Sequence, residues 1–174
     1  MASLIEGSTV RSDFKVSVSK DYLVFSSAHF ITFRGHQCET LHGHNYRVGV
    51  TVEGSLDDET MFVVDFSILK RMVRTLVDEI DHRVLLPLKN PKLTFSENGE
   101  SLQVAYFGTP TYVFPKVDCA MMPIQNTTAE MIAEYFAGRL KTDLEKMGVA
   151  NLSALELEVE ESFGQSATFR LVMD

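Results

Sequence analysis

Three of the chain's five histidines and one of its two cysteines fall within a single stretch, His36-Gln-Cys-Glu-Thr-Leu-His-Gly-His-Asn45. His42 and His44 are two positions apart at the start of an alternating run, so both rings project to one face of a strand. Two imidazoles on one face make half of a zinc site, and a catalytic zinc takes three protein ligands and keeps one position open. His29, closing Ser26-Ser-Ala-His29, is the natural third ligand if the two strands pair. The competing account is a chance pair of half-exposed histidines, because short motifs match by accident.

Cys38 stands four residues before His42. A thiol at that distance from a metal is a ligand, a base of lowered pKa held back from the metal, or an inert buried cysteine. Its polar neighbours Gln37, Glu39 and Thr40 argue against burial in a core. Cys119, between Asp118 and Ala120, reads as inert. Asp81-His82 is either a carboxylate orienting a proton-carrying imidazole or a histidine at a helix C-terminus. Glu161 continues the apolar phase of Leu155, Leu157 and Val159. An inward carboxylate needs a partner, and two adjacent N–H donors on the edge of a pterin or guanine would satisfy both oxygens. The alternative is a frayed strand end with Glu161 in water.

The elements that position these groups follow from periodicity. Residues 14–25 predict a long strand, and Tyr46, Val48, Val50 and Val52 alternate with Asn45, Arg47, Thr51 and Glu53 in a second. Asp65 caps a helix with apolar positions Leu69, Met72, Val73, Leu76, Val77 and Ile80, ending near Asp81. Thr127-Thr-Ala-Glu130 is a capping-box pattern for a second helix, and Gly148 is its C-terminal stop. Leu155, Leu157 and Val159 mark a third strand, and a turn over residues 163–166 returns a fourth. The order ββααββ, with segregated elements, predicts an α+β fold on an antiparallel sheet. Between the helices, residues 88–125 hold four prolines, an Asn98-Gly99 hairpin signal and β-prone runs at 102–107 and 111–114, which predicts an inserted hairpin.

A chain of 174 residues is one domain, and a chain of that size buries roughly 70% of its unfolded surface without help from a metal. Sixteen basic against 24 acidic residues give a net charge of −8, with no Lys/Arg run, which argues against nucleic acid and anionic membranes as partners. No leader or spanning segment is evident, so the cytoplasm is expected.

Together these residues resemble the 6-pyruvoyl-tetrahydropterin synthase and 6-carboxy-tetrahydropterin synthase family. Phe25-Ser-Ser-Ala-His29 and Cys38-x-x-x-His42-Gly-His44-Asn-Tyr46 look like its two zinc motifs, and Val64-Asp-Phe-Ser-Ile-Leu-Lys70 like its helix entry. Asp81-His82, Asn126-Thr-Thr-Ala-Glu130 and Glu160-Glu-Ser162 are similar to its relay pair, second helix start and pterin-anchoring strand end. The resemblance implies a tunnelling fold: a four-stranded antiparallel sheet with two helices on one side, closing into trimers or dimers of trimers with sites between subunits. It also implies 7,8-dihydroneopterin triphosphate as substrate and Zn²⁺ on His29, His42 and His44. Cys38 would be the base, Asp81 and His82 the second proton carrier, and Glu161, Thr127 and Thr128 the substrate contacts. The spacing from Cys38 to His42 resembles the 6-carboxy form that supplies queuosine. The animal-type 6-pyruvoyl form, which eliminates triphosphate, has a longer spacing. Glu39 resembles a branch that cleaves the side chain to 6-hydroxymethyl-dihydropterin for folate. A zinc–pterin module that binds without turnover is the reading from another class.

Overall fold

The clean alternation after His42 produces a strand of thirteen residues, and the rest of the molecule is organised around it. The computed structural model describes residues 13–18, 21 and 23–173; the segment read above for targeting signals lies outside them. The strand expected over 14–25 is two strands, β1 (Phe14–Val18) and β2 (Val24–His29). Their apolar phases differ, even for Phe14, Val16 and Val18 but odd for Leu23 and Phe25, and the chain breaks where the phase slips. Both pair antiparallel with β3 (His42–Gly54): β1 runs from Phe14 opposite Gly54, and β2 ends with His29 opposite His42.

Helix α1 (Phe66–Asp78) starts where Asp65 accepts the amide of Ser67 at 2.7 Å, and it stops three residues short of Asp81. The chain then adds β4 (Arg83–Pro87), parallel to β2. The inserted segment is a three-stranded antiparallel lobe rather than a hairpin. It comprises β5 (Leu93–Asn98), β6 (Ser101–Tyr106) and β7 (Thr109–Pro115), with Gly99 at φ 57° in the first turn. A 3-10 turn leads into β8 (Cys119–Met122), parallel to β4. Helix α2 (Ala129–Lys146) is capped by Thr128, not by the first threonine of the capping-box pattern: Thr128 Oγ1 accepts the Met131 amide at 3.4 Å. It closes with the Gly148 amide on Glu145 O at 3.0 Å and the Val149 amide on Leu144 O at 3.1 Å, which satisfies two last-turn carbonyls.

Strands β9 (Leu152–Ser162) and β10 (Gln165–Val172) complete a main sheet ordered β10-β9-β3-β2-β4-β8. The four expected strands are antiparallel neighbours, and β4 and β8 extend the sheet in parallel. One face is apolar: Val48, Val50, Val52, Leu155, Leu157 and Val159 pack under both helices. The other carries a Lys15–Glu53–Arg170–Glu156 ion-pair network. A second, smaller core of Phe30, Leu86, Leu93, Leu102 and Val104 joins the lobe to the sheet end. No described helix is long and apolar enough to cross a membrane.

Candidate active site

The apolar layer of the sheet ends at Phe25 and Tyr46, whose rings stack at 4.6 Å, and three imidazoles take over beyond them. Cross-strand register does the assembly. His29 is paired with His42, and His44 follows two residues on with its ring on the same face. Ring centroids lie 4.7 Å (His29–His42), 5.3 Å (His29–His44) and 4.8 Å (His42–His44) apart, and the candidate ligand nitrogens are all within 4.8 Å of one another.

Each of the first two rings is oriented from behind. His29 Nδ1 meets the Thr127 carbonyl at 2.8 Å, and His42 Nδ1 meets the Thr40 carbonyl at 2.9 Å. Carbonyls only accept, so both Nδ1 atoms carry the hydrogen and both Nε2 lone pairs are left for a ligand. His29 is fully buried, and its Nε2 has no hydrogen-bond partner.

Glu161 does turn inward. Its Oε1 lies 3.0 Å from His29 Nε2, off the line of a hydrogen bond, 3.6 Å from His44 Nε2, and 3.4 Å from the Tyr46 hydroxyl that donates to it. A buried lone pair and a carboxylate this close repel unless a cation lies with them. The electrostatics agree. Burial lowers the His29 pKa, but Glu161 and the Thr127 carbonyl outweigh it and the net shift is upward. The His29 pairing holds the Glu161 carboxyl below the usual range, burial lowers His44, and burial followed by the Glu161 charge pushes Tyr46 well up. A metal ion on the three histidines would supply the positive charge that a proton otherwise supplies. The residues therefore fit a divalent cation.

The other sequence-chosen residues fall into distinct places. Thr127 is buried, and its hydroxyl donates to Phe30 O at 2.9 Å. That side chain is engaged in holding the backbone that orients His29. Thr128 is the helix cap. Glu39 Oε2 is buried without a hydrogen-bond partner, 4.0 Å from His42 Nδ1. Cys38 is half-buried against the lobe core, contrary to what its polar neighbours suggested, because the apolar cluster it packs on is drawn from distant parts of the chain. Burial and then Glu39 push its thiol up, Lys92 opposing, so the lowered pKa expected of a base is absent from this environment. Cys119 is also half-buried and donates to Pro115 O at 3.4 Å.

Asp81 and His82 pair at 2.9 Å, and Asp81 Oδ1 accepts the Ser26 amide at 2.8 Å. That amide bond is the main reason the Asp81 carboxyl sits below its ordinary value. His82 lines a recess of about 490 Å³ with Ser26, Asn45, Arg83 and Asp118, reached also by His44. No hydrogen bond or ion pair joins the dyad to Cys38 or to the histidine triad within the described residues. Asn126, read in the sequence only as the first residue of the second-helix motif, has a role of its own. Its side chain grips the Thr32 backbone at both ends, Oδ1 accepting from N at 3.2 Å and Nδ2 donating to O at 3.1 Å, and Thr32 bridges Cys38. The only signal was its place beside Thr127.

Fold and site together define a two-helix protein on a mixed, mostly antiparallel sheet, with a cluster of three histidines at the sheet end that could hold a metal ion. The chain belongs to the 6-pyruvoyl tetrahydropterin synthase family, whose pattern matches residues 17–171, and it has that family's tunnelling fold. Crystallised 6-pyruvoyl tetrahydropterin synthase from Plasmodium vivax superposes with a TM-score of 0.85 at 33% identity, over 94% of this chain and 100% of that one. A second structure of the Plasmodium protein, 32% identical with a TM-score of 0.85, replaces a glutamate described as catalytic with alanine, over the same shares of the two chains. A Methanocaldococcus jannaschii protein assigned provisionally as 6-carboxy-5,6,7,8-tetrahydropterin synthase is 35% identical over 87% of this chain and 92% of its own. The 6-carboxy-5,6,7,8-tetrahydropterin synthase of Haemophilus influenzae is 28% identical over 80% of this chain and 91% of its own.

Proposed function

We propose that this protein is a zinc-dependent lyase that converts 7,8-dihydroneopterin triphosphate to 6-carboxy-5,6,7,8-tetrahydropterin. The observation that carries the reading is the buried, unpartnered Nε2 of His29, set among three imidazoles of which two are held by backbone carbonyls to point lone pairs at one place. Three protein nitrogens with an open fourth position is the donor set of a catalytic zinc. Zinc bound there would polarise the substrate's side-chain hydroxyls and acidify the C–H beside them. Cys38 takes that proton, His82 held by Asp81 carries the second, and Glu161 accepts the two adjacent N–H groups of the pterin edge. The names of the archaeal and bacterial relatives support the 6-carboxy product.

That no hydrogen bond or ion pair joins Asp81-His82 to Cys38 among the described residues supports an oligomer, a trimer or dimer of trimers, in which one subunit's dyad completes its neighbour's triad. A cytoplasmic location suits such an enzyme.

A second reading is favoured by Glu39. Its carboxylate oxygen is buried 4.0 Å from His42 Nδ1, and the Plasmodium relative has a glutamate described as catalytic. In this reading Glu39 is the base for cleavage of the side chain to 6-hydroxymethyl-dihydropterin. Incubating zinc-loaded protein with 7,8-dihydroneopterin triphosphate and identifying products by mass spectrometry decides between them. Cys38→Ala should cut 6-carboxy product formation by about 10²–10⁴-fold, the usual cost of removing a general base. Zinc loss from Cys38→Ala would make Cys38 a ligand and sink the assigned role. Loss of only the hydroxymethyl product in Glu39→Ala would assign that branch to Glu39.

A further inference from the structure

The inserted lobe has no part in the roles assigned so far, yet one of its side chains meets the peptide that orients His42. That peptide joins Thr40 to Leu41. Its carbonyl oxygen accepts the His42 Nδ1 hydrogen at 2.9 Å, and its N–H donates to the Tyr112 hydroxyl at 3.3 Å. A trans peptide is planar, so its C=O and N–H point opposite ways from one rigid plate. A partner that holds the N–H therefore holds the direction of the carbonyl on the other side. Hydrogen bonds in such a chain also polarise one another, which makes the carbonyl a stronger acceptor.

The register of the lobe aims Tyr112 at this place. Val104 on β6 opposes Tyr112 on β7, but the next pair is Ala105 with Pro110, so Thr111 is the extra residue of a bulge. Bulges re-aim neighbouring side chains and are common beside active sites. The Tyr112 ring packs against Phe30 and Phe114, at centroid distances of 5.3 and 5.5 Å. Phe30 is almost fully buried and directly follows His29, Leu41 directly precedes His42, and His29 pairs with His42. One side chain of the insertion thus touches both strand ends that carry the first two imidazoles.

We propose that Tyr112 is a positioning residue for the metal centre: its hydroxyl fixes the Thr40–Leu41 peptide, and that peptide fixes the ring of His42. The arrangement parallels the one at His29, where the Thr127 carbonyl meets the ring and the Thr127 hydroxyl anchors the backbone. The inference rests on the reading of the three histidines as metal ligands, and its test reads metal binding rather than turnover.

The test compares Tyr112→Phe, which keeps the ring and loses the hydroxyl, with Phe95→Ala, which loosens the lobe from β5, two strands away from Tyr112. Zinc affinity is read by competition with a chelator, and ligand geometry by the visible bands of cobalt(II) put in the place of zinc. Urea midpoints record the stability of each variant. Tyr112→Phe should bind zinc about tenfold more weakly, the low end for losing a contact behind a ligand, and its cobalt(II) bands should shift. Phe95→Ala should lower the urea midpoint yet keep the parent's affinity and bands. Parent-like affinity in Tyr112→Phe, or bands that do not move, overturns the proposal. So does an equal loss of affinity in Phe95→Ala, which would make lobe stability the cause. A parent chain that binds neither metal would sink the ligand reading itself, and the role of Tyr112 with it.

Discussion

His29 and Thr127 meet at 2.8 Å, the ring Nδ1 of one donating to the backbone carbonyl of the other, across 98 residues of sequence. The Thr127 hydroxyl closes the arrangement on Phe30 O at 2.9 Å, so the residue after His29 and the residue holding it are tied to each other. Thr127→Val removes that hydroxyl and leaves a buried acceptor unpaired, at about 1–3 kcal/mol of stability. It also frees the carbonyl to drift from the ring. Loss of such an outer contact lowers metal affinity by about 10–100-fold. A zinc competition titration should show the loss in Thr127→Val and not in Thr127→Ser, and equal affinities in the two would mean that the His29 orientation is set elsewhere.

Removing a ligand is the sharper test of the centre. His42 faces His29 directly across the β2–β3 pair, so His42→Ala leaves two nitrogens where a stable site takes three. Bound zinc should fall from near one per subunit to near none. Because the chain buries a core independent of the triad, far-UV circular dichroism should be unchanged. Zinc retained in full by His42→Ala contradicts the ligand set.

How much of this was legible in the sequence follows from which contacts are local in phase. The alternation of Tyr46 to Val52 and of Leu155 to Val159 is intrinsic to each strand, so it predicted the buried face and the inward turn of Glu161; the register that sets His29 against His42 came only with the fold. What was not legible depends on partners far away. β4 and β8 are short and parallel, and neither has a period of its own to announce it. The apolar cluster that half-buries Cys38 is drawn from Phe30, β4, β5 and β6, while its sequence neighbours are polar. The capping-box pattern fitted Thr127, but that hydroxyl makes a tertiary hydrogen bond and the cap passes to Thr128.

The opposite face of the sheet supplies a pH prediction. Glu53 is bonded by Arg170, with Lys15 close by, and the Arg170 hydrogen bond holds its carboxyl down at about 2. A carboxyl lowered in the folded state stabilises the protein above its ordinary unfolded value near 4.5, and that contribution is lost as pH falls from there through about 2. Glu53→Gln should therefore have a lower urea midpoint than the parent at pH 7, with the difference closing between about pH 4.5 and 2. A gap that stays constant into acid would show that the carboxylate is not the source. The pairs are solvent-exposed, so added salt should also narrow the gap.

Glu160 and Glu161 sit side by side on β9 and point to opposite faces, which makes them a matched pair for testing the substrate anchor. Glu161 faces His29, His44 and the Tyr46 hydroxyl. Glu160, on the opposite face, is buried at 5% exposure beside the Arg47 guanidinium at 3.6 Å. Arg47 is its antiparallel partner on β3, and the long side chain folds over the carboxylate. Glu160→Gln should therefore lower stability by about 1 kcal/mol, through loss of its charge beside the Arg47 guanidinium, while pterin affinity stays unchanged. Glu161→Gln replaces one acceptor oxygen with an N–H₂ that opposes the pterin donors. Its affinity for a dihydropterin should fall by about one to two orders of magnitude, with zinc content retained because the three histidines remain. Titrating both zinc-loaded variants with dihydroneopterin, alongside urea unfolding, separates the two effects. If Glu160→Gln lost pterin affinity to the same extent as Glu161→Gln, the face assigned to the anchor would be wrong, and the pterin edge would have to be held from another strand.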